Sequence, residues 1–122
     1  MEVIIVENND QVARISATLV IELVNRKPNA VLGLATGFTP IATYQMLIAA
    51  CQSAHISFAQ VRTFNLDEYL GLDAADARSF RRFMDQQFFT HIDIDHGNTH
   101  LPDGKCANPR AEGQRYEALI KQ

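Results

Sequence analysis

Ala30-Val31-Leu32-Gly33-Leu34, running directly into Ala35-Thr36-Gly37-Phe38-Thr39-Pro40, is the stretch that decides the fold. Its first five residues are apolar without alternation, the pattern of a β-strand covered on both faces. The next six hold a glycine able to take positive φ, two threonines and a Thr-Pro helix start. Strand, tight turn and helix in that order make one βα unit, and the flanking sequence repeats it.

Upstream, Asn8 and Gln11 have capping-box spacing. Val12, Ile15, Leu19, Val20, Leu23 and Val24 then recur at helical steps. Arg26 and Lys27 suit the negative end of that helix, and Pro28 stops it. The β-branched run Glu2–Val6 predicts a strand before it. Downstream, Thr39 caps a helix starting at Pro40 and reaching about Ser53, with Ile41, Tyr44, Leu47, Ile48 and Cys51 as its packing face. Val61–Leu66 predicts a further strand, and Thr99-His100-Leu101 a short one. Ser79 caps a helix bearing Phe80, Phe83, Met84 and Phe88, and Asn108-Pro109 opens a last helix packed through Tyr116, Leu119 and Ile120. A further strand is expected to follow that helix. Alternating strands and helices imply right-handed crossovers and an α/β fold with a mostly parallel sheet. With no repeat, low-complexity tract or linker, residues 1–122 read as a single domain.

Composition narrows the function classes. The net charge is -3 with no block of either sign, which argues against nucleic acid as a partner, because that binding needs clustered Lys and Arg. No apolar run is long enough to span a membrane, and acidic Glu2 stands where a signal peptide needs basic residues. Cys51 and Cys106 read as free thiols, so the expected location is cytoplasmic. His55, His91, His96 and His100 lack metal-ligand spacing and read as surface residues. Asp93, Asp95 and Asn98 do not match a calcium loop. No metal and no cofactor are expected. Arg81 and Arg82 read as residues of an exposed helix face, where one of them can help hold an anion.

In open α/β sheets, ligands bind beyond the carboxyl ends of the strands. Two segments lie there. Thr36, Gly37, Phe38 and Thr39 form a turn that aims backbone N–H groups and two hydroxyls at a helix N-terminus, which suits a phosphate; an ordinary strand-to-helix turn has the same pattern. It is not a P-loop, because no Gly-Lys-Ser/Thr follows. Asn65-Leu66-Asp67-Glu68-Tyr69 ends the Val61–Leu66 strand, and a carboxylate there can move a proton between neighbouring substrate carbons. Asp67 and Glu68 point opposite ways if strand geometry persists, so one of them faces the site. A solvated loop whose acids cap nearby amides is the plainer alternative.

Together these segments resemble the glucosamine-6-phosphate deaminase/isomerase family. Val31-Leu32-Gly33-Leu34-Ala35-Thr36-Gly37-Phe38-Thr39-Pro40, then Thr43-Tyr44, is similar to that family's phosphate loop. Thr63-Phe64-Asn65-Leu66-Asp67-Glu68-Tyr69-Leu70-Gly71-Leu72 is similar to its acidic motif, and Asn98-Thr99-His100-Leu101-Pro102-Asp103-Gly104 continues the likeness. The resemblance implies a Rossmann-like three-layer sandwich, truncated relative to the family. It implies conversion of an amino-sugar phosphate to a keto-sugar phosphate with release of ammonia, and a small sugar phosphate as partner. By the same resemblance Asp67 shuttles a proton between C1 and C2, Glu68 supports it, and Thr36–Thr39 help hold the phosphate. Phe38 departs from the family's usual Gly or Ser. The family's second half carries a Gly-His-Ile-Ala-Phe-Asn-Glu-Pro stretch with the ring-opening histidine, and no such stretch occurs in these 122 residues. The expectation is therefore an amino-terminal half, inactive alone, with a bare sheet edge through which it can pair with itself or another chain. A stand-alone sugar-phosphate-binding module is the reading from another class. A 6-phosphogluconolactonase fits less well, since its acidic motif continues Asp-Glu-Arg and here Tyr69 follows Glu68.

Overall fold

The computed structural model describes residues 3–122. Helix α1 (Asn9–Arg26) leads into strand β1 (Val31–Leu34), helix α2 (Ile41–Gln52) and strand β2 (Arg62–Asn65). Helix α3 (Phe80–Gln87), two single 3-10 turns, strand β3 (Thr99–His100) and helix α4 (Pro109–Ile120) complete the order. The sheet order is β1-β2-β3, parallel throughout, with Leu34 opposite Asn65 and Phe64 opposite His100.

Alternation along the strands sorts the two faces. Leu32 joins Val24, Tyr44, Leu47, Met84, Phe88 and Phe89 in the core beneath α1, α2 and α3. Phe64 faces the other way, onto His100 and the Tyr116 ring of α4. The expected helix–sheet–helix layering is present. Ser79 and Asn108 cap α3 and α4 as read from sequence, accepting from Arg82 N and from the N–H groups of Arg110 and Ala111. Asn8 accepts from Gln11 N, while the Gln11 side chain reaches back to Glu7 N.

Five expectations need correction. Val3–Val6 forms no strand, and Glu2 lies outside the described residues. A strand exists only through its ladder, and these residues meet none: Val3, Ile4 and Ile5 are exposed, and among the described residues β1 pairs with β2 alone. The buried line of α1 is Ala13, Ala17 and Val24, while Val12 and Leu19 face solvent, because the small residues are what sit against α2. Pro40 occupies the cap position of α2 with no side-chain bond, so Thr39 is not the cap; Ile41 N bonds instead to Phe38 O. Ile120 stays largely exposed on α4.

His100 is the fifth. It is not a surface histidine: its ring lies 4.7 Å from that of Phe64 and is half-buried. Burial, then the charges of Arg62, Arg115 and Arg81, push its pKa below the ordinary value. A histidine whose pKa is lowered by folding stabilises the native state above its unfolded pKa, and that contribution is lost as pH falls through the folded value. Acidifying from pH 7.5 to 5 is therefore expected to lower the melting temperature. His100→Phe keeps the stacking and should flatten the part of that slope below about pH 6.5; an unchanged slope would assign the acid sensitivity elsewhere.

Cys51 and Cys106 are free, as expected. Among the described residues no helix is long and apolar enough to cross a membrane, and no group of His, Cys, Asp or Glu is placed to hold a metal ion.

Candidate functional site

The two candidate loops leave adjacent parallel strands from paired residues, Leu34 and Asn65, so they start about 5 Å apart. Three side chains hold these strand ends. Asn65 Nδ2 donates to Leu34 O across 3.1 Å. Tyr44 donates its hydroxyl to Ala35 O, and burial pushes that phenol up to about 12 against the opposing effect of the Ala35 bond. Tyr116 shares its hydroxyl between Asn65 O (2.7 Å) and His100 O (3.0 Å). From sequence, Tyr116 read only as a packing residue, and Tyr44 as a packing residue that also belongs to the phosphate-loop likeness. Nothing in a helical stripe distinguishes a tyrosine that packs from one whose hydroxyl pins a strand end.

The Thr36–Thr39 turn is open. Gly37 has φ +96, the left-handed conformation that its lack of Cβ permits. Among the described residues the N–H groups of Gly37, Phe38 and Thr39 have no acceptor, and neither threonine hydroxyl is engaged. Phe38 is 93% exposed, so its ring leaves the loop's amides accessible rather than crowding them. Unpaired N–H groups just ahead of α2 are favourable surroundings for an anion.

The acidic motif divides its two carboxylates. Asp67 is exposed at the carboxyl end of β2, with no hydrogen-bond partner among the described residues. Glu68 turns toward α3, where Oε1 accepts from Tyr69 N and Phe80 N and Oε2 from Arg81 N. Strand β2 ends at Asn65, so both acids lie in the loop beyond it, where the two-residue alternation of a strand no longer sets their directions. Asn65 Oδ1 is buried beside these loops without a partner.

The candidate residues do not share one cavity. Ala35 and Leu66, the neighbours of Thr36 and Asp67, line an apolar cleft of about 460 Å3 with Gly33, Phe64, Tyr116 and Ile120. Phe38 and Thr39 border a recess against Asn9, Val12 and Ala13 of α1. Glu68 lines a third cleft, of about 220 Å3, with Arg81, Thr99, His100 and Arg115. Arg81 is not free to hold an anion, contrary to the exposed face expected of it. Its guanidinium bonds to Asp85, to Thr99 O and Thr99 Oγ1, and approaches His96, while lying 5.6 Å from the Phe89 ring. Helical spacing put it outside; the fold of β3 beneath α3 turned it inward.

The chain is similar to known proteins along its whole length. The family model described as glucosamine-6-phosphate isomerases/6-phosphogluconolactonase matches residues 7–122. The chain is 50% identical to a glucosamine-6-phosphate deaminase of Cellvibrio japonicus, over 100% of its own length and 46% of the relative's. It is 48% identical to one of Shewanella loihica, over 99% of its own length and 45% of the relative's. A solved structure of a monomeric glucosamine-6-phosphate deaminase superposes with a TM-score of 0.95 at 39% identity, covering 99% of this chain and 50% of that one. A 6-phosphogluconolactonase from Thermotoga maritima shares the fold at 21% identity and a TM-score of 0.76. The chain spans about half the length of the relatives it matches.

Proposed function

We propose, since the chain belongs to the family of glucosamine-6-phosphate isomerases and 6-phosphogluconolactonases, that residues 1–122 supply part of an amino-sugar-phosphate isomerase/deaminase site. They contribute the phosphate cradle and the proton-carrying carboxylate for conversion of glucosamine 6-phosphate to fructose 6-phosphate and ammonia. The observation that carries this reading is the pairing of an open, glycine-turned loop with an unencumbered carboxylate at the ends of two adjacent parallel strands. The Thr36–Thr39 amides and hydroxyls take the phosphate, and Asp67, free of partners and reachable from solvent, is the base. Glu68 is engaged instead by the N–H groups of Tyr69, Phe80 and Arg81. The deaminase side of the family is favoured over the lactonase side by Tyr69 and by the identity to deaminases over the whole of this chain.

No ring-opening histidine motif occurs in these residues, so the chain alone is expected to bind without turnover. A thermal-shift titration with glucosamine 6-phosphate, beside an ammonia-release assay, tests both halves of the claim. Ligand at a hundredfold excess over Kd stabilises by about 2.7 kcal/mol, a shift of several degrees for a domain of this size. Glucosamine without phosphate should give no such shift, and Thr36→Ala with Thr39→Ala should reduce it. Absence of any phosphate-dependent shift would overturn the cradle; ammonia from the pure chain would overturn the expectation that it is inactive alone.

A further inference from the structure

Asp67 reaches its position without a side-chain partner, so its placement is inherited from the backbone that carries it. That backbone is held from two sides. On one, Glu68 accepts from Tyr69 N at 2.8 Å and from Phe80 N and Arg81 N at 2.9 Å. Phe80 and Arg81 open α3, where N–H groups lack intrahelical acceptors, so a carboxylate there gains charge-assisted bonds and a favourable dipole. The helix is itself a fixed reference: Met84 is fully buried, Arg81 is bonded to Thr99, and Ser79 caps the first turn.

On the other side lies Gly104. Its carbonyl accepts from Gly71 N at 2.7 Å. A Cβ at this position would stand 2.5 Å from Tyr69 O, 2.8 Å from Leu72 O and 3.2 Å from Glu68 Cγ. Two of those three atoms are backbone, so any side chain must displace the Glu68–Leu72 loop.

We propose that Glu68 and Gly104 form a brace that positions the Asp67 carboxylate, Glu68 tying the loop to the start of α3 and Gly104 giving it a floor. Glu68 is thus a positioning residue rather than a second acid. The inference rests on the reading of Asp67 as the proton carrier, but its test needs no substrate. A plain helix cap would stabilise α3 and leave Asp67 where it is; a brace would not.

The test compares Glu68→Ala, Glu68→Gln, Gly104→Ala and Ser79→Ala in the 122-residue chain by NMR. In Glu68→Ala, amide exchange at Phe80 and Arg81 should rise at least about tenfold. The backbone order of residues 66–72 should fall, and the Asp67 carboxyl carbon signal should move. Glu68→Gln keeps one acceptor oxygen and should lie between wild type and Glu68→Ala. Gly104→Ala should move the same Asp67 signal with α3 still protected. Ser79→Ala removes the other cap of α3 and should raise exchange there while leaving residues 66–72 and Asp67 unchanged. If folded Glu68→Ala or Glu68→Gln leaves the Asp67 signal and the loop order as in wild type, the brace is overturned. Should Glu68→Ala fail to fold, Glu68→Gln and Gly104→Ala decide by the same signals. Failure of sugar-phosphate binding would overturn the proposed function alone and would not alter these readouts.

Discussion

Asp67→Asn is expected to lower kcat about 10^2- to 10^4-fold, with KM little changed, when the chain is joined to the remainder of a complete relative. A suitable background is a chimera in which residues 1–122 replace the matching part of the Cellvibrio japonicus deaminase, to which they are 50% identical throughout. Asparagine keeps the size and polarity of the side chain but cannot accept and return a proton. The Thr36–Thr39 turn lies on the neighbouring strand end and is untouched by the change, so ground-state binding should survive. The expected signature is thus loss of rate without loss of affinity. An unchanged kcat would remove Asp67 from the chemistry, and a raised KM with unchanged kcat would assign it to substrate binding instead.

Phe88→Ala is expected to cost about 3–5 kcal/mol, against a total stability of roughly 5–15 kcal/mol for a protein of ordinary size. Phe88 is fully buried, stacked on Tyr44 at 4.8 Å, edge-on to Phe58 at 5.5 Å and 5.9 Å from Phe89. Truncation removes the ring that all three neighbours pack against, and α2, α3 and the Phe58 segment cannot all close on the gap. Urea unfolding with an unchanged m-value would measure the loss directly. Phe88→Leu should cost less because it refills most of the volume. A loss for Phe88→Ala below about 1 kcal/mol would mean that the site collapses freely. The consequence reaches the carboxyl end of the sheet, since Tyr44 is the residue whose hydroxyl holds Ala35 at the start of the Thr36–Thr39 turn. Weaker phosphate-dependent stabilisation should accompany the thermodynamic loss.

Much of this molecule can be read locally. The capping residues Asn8, Ser79 and Asn108 act where their spacing puts them, because a cap is decided by atoms within three residues of each other. The strand at Val31–Leu34 follows from an unbroken apolar run ahead of a turn, the strand at Arg62–Asn65 falls inside the expected Val61–Leu66, and the parallel sheet follows from their alternation with helices. The candidate loops were legible for the same reason: a glycine-containing turn after a strand and acids at a strand's end are local patterns with a fixed place in this architecture.

What the sequence determined, then, is the class of fold, the caps, the turn at Gly37 and the two loops that bear polar chemistry. The tertiary structure alone decided the rest, because those features depend on residues far apart in the chain. Val3–Val6 has strand composition yet no ladder, since pairing needs a neighbour that composition cannot supply. Arg81 and His100 turn inward because β3 passes beneath α3 and α4, which no helical period predicts. Glu68 is tied to the start of α3, twelve residues on, because that helix begins where its carboxylate ends. Gly104 is needed for no turn of its own; a Cβ there would strike the backbone of a loop more than thirty residues away in the chain, a contact that exists only once the chain has folded.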